Sequence, residues 1–422
     1  MNRKQHFLLG AALVAAAVVV AGAGIESQSG DGALSMDPND GVPRFEVDPL
    51  FPKNLPNHWL MGPTIGVDVD SRDHIWIVHR NTTDNFVLNT EIGMVADPPV
   101  AQCCQPGPPV MEFDQEGNLV QAWGGPGTET GDYTWPASNH GITLDAMDNV
   151  WIGGNGGPDA HVVKFDRQGN FLLQVGTSGA RMTGPVNERT GQPTAQRNSL
   201  STDSFGRVAK ISIDDAANEA YFSDGYFNKR MAVVDMDTGE MKRFWGAYGN
   251  EPDDSIDLGR YNPDQPSPQF RGPVHCGEVS NDGLVYVCDR GGDRVQIFQK
   301  DGTYVSEHQY ARETLSQGST WDIDFSHDED QRWIYLADGQ NMKVYIIERE
   351  TMEVVTAFGD GGRQPGMFFA VHSIAVDSSG NIYTTETYEG SRLQKFVFKG
   401  YGPVPEGAEG ENSQGVLWPT GN

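Results

Sequence analysis

Residues 275–302 read HCGEVSNDGLVYVCDRGGDRVQIFQKDG, and this stretch decides the fold. Apolar and polar residues alternate on both sides of Asn281-Asp282-Gly283, the period-two pattern of half-buried strands around a hairpin turn. A polar loop, Asp289–Arg294, leads into a third apolar strand that ends at Phe298. A second turn, Asp301-Gly302, then opens a fourth strand, TYVSEHQ from Thr303. Such a unit is a small antiparallel sheet, and alone it cannot bury both of its faces.

The unit recurs. Copies begin at Ile65 (IGVDVDSRDHIWIVHR), His140 (HGITLDAMDNVWIGGNGGPDAHVVKFDRQG), Ala209 (AKISIDDAANEAYFSDGYFNKRMAVVDMDTG), Ser319 (STWDIDFSHDEDQRWIYLADGQNMKVYIIERETM) and His372 (HSIAVDSSGNIYTTETYEGSRLQKF). Six units of four strands describe an all-β, six-bladed β-propeller with four-stranded blades around a central channel. We expect it to occupy residues 43–399, after a Gly/Ser-rich linker over 24–42 and before a flexible tail over 400–422. The stretches Asn81–Gln105 and Thr177–Ser204 read as long loops on one face, where binding function commonly sits.

At the N-terminus, Arg3 and Lys4 precede an apolar run from Phe7 to Val20 and the small residues Ala21-Gly22-Ala23. That order is a secretory signal over residues 1–23, and the run is short for a membrane span. The protein is therefore expected outside the cytoplasm, secreted or periplasmic, with an uncleaved N-terminal anchor as the alternative. The formal net charge is -28, and it becomes more negative once Arg3 and Lys4 are removed. Such a charge excludes nucleic acid and anionic membrane as natural partners. An exported chain can oxidise its four cysteines. If Val279 pairs with Val285, Cys276 faces Cys288, where a cross-strand bridge can form. For the adjacent Cys103 and Cys104, a vicinal disulfide and two buried thiols stay open.

Laying the copies over one another brings out the sharpest feature. The first repeat position is His140, His275 and His372 in copies two, four and six. The first strand of each blade lines the channel, so side chains from alternate blades converge on the axis. Three imidazoles with an open fourth position are the ligand set of a catalytic zinc, and iron, manganese or copper could use it too. Of the other histidines, His58, His161, His308 and His327 read as solvated loop or outer-strand residues, His74 as part of a turn, and His79 as the end of an inner hairpin. Asp70, Asp145, Asp214, Asp324 and Asp377 recur near the end of the first strand and read as turn-formers, not as the acidic ring of a lactonase-like calcium enzyme. No Gly-x-Ser-x-Gly motif or phosphate-binding glycine loop is present.

DRGGDRVQIF from Asp289 and ADGQNMKVYII from Ala337 resemble NHL repeats. The set His140, SDGYFNKR (Ser223–Arg230), His275, Cys288-Asp289-Arg290 and His372 resembles peptidyl-α-hydroxyglycine α-amidating lyase, over about Gly62 to Phe396. That family, also called peptidylamidoglycolate lyase, holds zinc on three histidines of a six-bladed propeller. It cleaves a carbinolamide to an amide and glyoxylate. The resemblance implies zinc on His140, His275 and His372, a catalytic Tyr226, and a substrate carboxylate held by Arg80 and Arg290. The family's structural calcium uses an aspartate directly after the third histidine. That position is Ser373 here, which leaves calcium open. Ala370 stands where the family has methionine, and VHRN lacks its glycine after arginine. Two functions therefore compete: a metal-dependent lyase acting on a small or peptide substrate that bears a carboxylate, and a non-catalytic NHL propeller binding a peptide, glycan or protein through its loops.

Overall fold

The computed structural model of the chain describes residues 34–82 and 91–411. The signal read over 1–23, most of the linker and the end of the tail lie outside them. Six four-stranded antiparallel sheets are the blades of a β-propeller. Among the described residues the only helical elements are short 3-10 turns.

The innermost strands are Thr64–Val69, Asn139–Leu144, Ile211–Asp214, Val274–Val279, Asp322–Phe325 and Val371–Val376. Each contacts the next, and the last contacts the first, so they form a closed ring around the axis. Buried aliphatic and aromatic residues fill the spaces between blades. Trp151 and Phe222, for example, lie in one such layer, and Tyr286 and Phe325 in another. The turn after each innermost strand is tied by a side chain. Asp70, Asp145 and Asp377 accept from backbone amides two and four residues on, and Asp214 from Ala217. Ser280 and Ser326 take this role in the remaining blades. Asp324 is therefore not a turn residue. It faces the channel two positions earlier, and its carboxylate accepts from Phe325 N and Val376 N.

The ring closes with a strand from the other end of the chain. Val42–Asp48 pairs antiparallel with Arg392–Gly402 and is the outermost strand of the sixth blade. Phe45 anchors it against the fifth blade, with its ring 5.6 Å from Tyr335 and 5.8 Å from Phe358. Cys276 and Cys288 face each other in register and are joined as a disulfide, and Cys103 is bonded to Cys104.

Phe45 is 5% exposed and sits in a packed layer. Phe45→Ala should therefore lower the unfolding free energy by about 3 kcal/mol or more. Urea denaturation with an unchanged midpoint would show that the closing strand carries no such load.

Candidate metal centre and channel mouth

The three histidines occupy one repeat position, and the backbone aims them inward. In the fourth and sixth blades the pairing between the first two strands skips the histidine, and in the second it skips Gly141 next to His140. A bulge of this kind re-aims a side chain, and here it turns the imidazole toward the axis. The rings meet there, with centroids 4.8–5.1 Å apart. One ligand atom from each histidine lies within 4.8 Å of the other two.

The neighbouring odd blades fix which nitrogen faces the axis. His140 Nδ1 donates to the Ala209 carbonyl at 2.6 Å, and His275 Nδ1 to that of Trp321 at 2.5 Å. His372 faces the Ile65 backbone across the next junction, but its buried Nδ1 has no hydrogen-bond partner among the described residues. Ile65, Ala209 and Trp321 are themselves the first repeat positions of blades one, three and five. Each histidine thus leans on the equivalent residue of the next blade. Gly141 allows this close approach: its φ is +68°, and a Cβ there would lie 2.5 Å from the Ala209 oxygen.

With Nδ1 protonated, the Nε2 lone pairs of His140 and His275 point to the hydroxyl of Tyr226, at 2.8 and 3.0 Å. One hydroxyl proton cannot satisfy both acceptors. Burial holds all three imidazoles well below their ordinary pKa, helped by the charges of Arg80 and Arg290. Neutral, buried and short of donors, the three rings are in the form that binds a metal cation. The donor set suits zinc with an open coordination position.

Tyr226 stands on the loop joining the second and third strands of blade three. Asp224 holds that loop, accepting from Gly206 N, Asn228 Nδ2 and Arg230 Nε. Gly225 lets the loop press on the entry to blade four, where a Cβ would lie 2.1 Å from Val274 N. Asp224 of the SDGY motif and Asp289 of CDRGGDR are thus spent on Arg230 and Arg294. Arg80 and Arg290 make no ion pair among the described residues. Arg290 lies 4.4 Å over the Trp321 ring, with Nη1 3.4 Å from the Tyr226 hydroxyl. Arg80 donates to Asn155 Oδ1 at 3.0 Å. Both keep a buried Nε without a partner. All six residues singled out in the sequence meet at one mouth of the channel.

His79 lies beside this mouth but is structural. Its Nδ1 accepts from Gly62 N, its Nε2 donates to Pro108 O, and burial takes its pKa down to about 4. His161 corrects the expectation of a solvated residue: it is 1% exposed and bonded to the Thr134 carbonyl, because a loop covers that strand. A second cluster of metal-binding residue types, Asp70, His74 and Glu112, is already neutralised by Arg167, which bonds to both carboxylates.

Beyond the histidines the channel carries a feature the sequence reading missed. Lys210 Nζ lies 2.6 Å from both Asp322 and Glu278. Asp322 also accepts from Ser373 Oγ at 2.6 Å and from Ile374 N. The residues at this level do not fit a calcium ion. The protein's own ammonium supplies the positive charge, and Ser373 spends its hydroxyl on Asp322. Asp68, Glu278 and Asp324 line the cavity next to it, about 200 Å³ in volume. One ammonium does not neutralise them all. Burial pushes Asp68 up to about 7 and Glu278 up to about 8.

No family model matches the chain. It is 26% identical over 325 residues to NHL repeat-containing protein 3 of Mus musculus, a match that covers 75% of this chain and 70% of the relative. Among solved structures it is similar to a catalytically inactive virginiamycin B lyase from Staphylococcus aureus with quinupristin, at a TM-score of 0.43 and 12% identity, covering 87% of this chain and 91% of that one. It is also similar to a protein of unknown function from Bacteroides thetaiotaomicron, at a TM-score of 0.47 and 14% identity, covering 85% and 76%. The mouse relative's name describes NHL repeats, the repeat type that this sequence resembles.

The raised Glu278 has a consequence for stability. A carboxyl whose pKa is raised by folding contributes fully below its unfolded value, and that contribution is lost as pH rises through about 8. Glu278→Gln removes the charge that forms there. The variant should melt about 2–4 °C above wild type at pH 9 and within about 1 °C of it at pH 6. Equal melting offsets at the two pH values would contradict a protonated Glu278.

Proposed function

We propose that the protein is an exported, zinc-dependent carbon–nitrogen lyase resembling peptidyl-α-hydroxyglycine α-amidating lyase. It cleaves an α-hydroxyglycine-type carbinolamide to an amide and glyoxylate. The observation that carries this reading is the convergence at a single mouth of three histidines, one tyrosine hydroxyl and two arginines that make no ion pair among the described residues. His140, His275 and His372 would hold the zinc, which when bound supplies Lewis acidity toward the substrate hydroxyl.

The chain's own residues have defined tasks. Arg80 and Arg290 bind the substrate carboxylate, and the stacking of Arg290 on Trp321 fixes the plane of its guanidinium. Tyr226 Oη stands where it can take the proton of the carbinol hydroxyl. The carbon–nitrogen bond then breaks as the C–O bond becomes a carbonyl, and the leaving amide nitrogen takes up a proton. The proton count balances if Tyr226 returns the one it accepted. The disulfide between Cys276 and Cys288 suits an oxidising compartment, and no helix among the described residues is long and apolar enough to cross a membrane.

Elemental analysis of the mature protein should find about one zinc per chain, lost in the His140→Ala/His275→Ala/His372→Ala variant with the fold intact. Tyr226→Phe should keep the zinc and lose about 10²–10⁴ in kcat for glyoxylate release. Arg80→Met should act mainly on KM. A chain that takes up no stoichiometric metal would instead be a binding propeller, in keeping with its NHL-repeat relative.

A further inference from the structure

A third guanidinium stands at the same mouth. Arg207 lies two residues before Ala209, at the rim of the channel. The equivalent residues in the other five blades are Pro63, Ser138, Pro273, Ser319 and Ala370. Five small residues and one arginine at a repeated rim position mark blade three as different. Its loop also carries Tyr226, whose backbone N–H donates to the Arg207 carbonyl at 3.3 Å.

The surroundings of Arg207 are built but incomplete. Its guanidinium lies 4.9 Å over the ring of Phe227, whose other neighbour is Arg197 at 5.5 Å. Its Nε is buried without a partner, and its guanidinium makes no hydrogen bond or ion pair with any described residue. The buried carboxylate of Asp159 acts on both Arg207 and Arg80. That carboxylate is already held by the N–H groups of Ala137, Ser138 and Gly156. In a chain with 58 acidic and 30 basic residues, an arginine this enclosed would readily find a carboxylate partner. Leaving the buried Nε unpaired costs free energy, and a ligand anion would offset that cost.

We propose that Arg207 and Phe227 form a second subsite on the rim, which takes an additional carboxylate of the substrate beyond the one assigned to Arg80 and Arg290. The preferred substrates are then peptides with an acidic side chain next to the terminal hydroxyglycine. Phe227 presents a flat apolar wall for the stem of that side chain, and the Arg207 fork binds its carboxylate. This rests on the lyase reading of the same mouth.

The test is calorimetric titration of the mature protein with two dipeptides of equal shape, N-acetyl-Glu-Gly and N-acetyl-Gln-Gly. Wild type should bind the Glu peptide about tenfold more tightly. In Arg207→Met that ratio should fall to about one, and Arg207→Lys should keep part of it. Equal binding of the two peptides by wild type, a Glu preference that survives in Arg207→Met, or no binding of either peptide would overturn the subsite. Glyoxylate release from the matching hydroxyglycine peptides separates the two claims. Charge-selective binding without turnover would remove the lyase reading and keep the subsite, and turnover without charge selectivity would do the reverse.

Discussion

The site depends on hydrogen bonds between blades. His140 and His275 each give their Nδ1 proton to a backbone carbonyl of the following blade. Those bonds set the tautomer and the ring plane together, so the Nε2 lone pairs have one direction left to them, toward the axis. The acceptors are main-chain atoms that lead into the innermost strands of blades three and five. The closing pair between the two ends of the chain serves this arrangement too. His372 faces Ile65 across the junction of blades six and one, so an open ring would displace a candidate ligand.

Charge is distributed along the channel with a clear polarity. At the histidine end, Arg80, Arg207 and Arg290 form no ion pair among the described residues, in a chain that is strongly acidic overall. Toward the turns, carboxylates outnumber cations, and Lys210 bridges Asp322 and Glu278. Asp322 reaches the backbone beside His372 through Ser373 and Ile374. The ammonium therefore ties blade three to blade five directly under the imidazoles, and from there to blade six. An anionic ligand would meet an attractive potential at one mouth and a repulsive one at the other.

The six-fold repeat and the three histidines were legible because both are periodic. A strand pattern that returns every 44 to 75 residues, and one residue type at one phase of it, survive without coordinates. Three things were not legible. The closing strand Val42–Asp48 is a single segment whose partner lies at the far end of the chain. The carbonyls of Ala209 and Trp321 belong to unremarkable residues, since every residue carries one. Asp324 looked like a turn aspartate because it lies near the others in sequence, but a two-residue offset places it in the channel. Arg207 could have been found by the overlay that exposed the histidines, had the comparison begun two positions earlier.

The account's central claim is that three imidazoles, each oriented by its neighbouring blade, form one metal site on the propeller axis. X-ray absorption spectroscopy of the zinc-loaded protein tests it most directly. Three imidazole nitrogens at about 2.0–2.1 Å and one oxygen ligand, with no sulfur, are expected. A shell dominated by sulfur or carboxylate oxygen, or one that is unchanged in His275→Ala, would place the metal elsewhere and contradict the account.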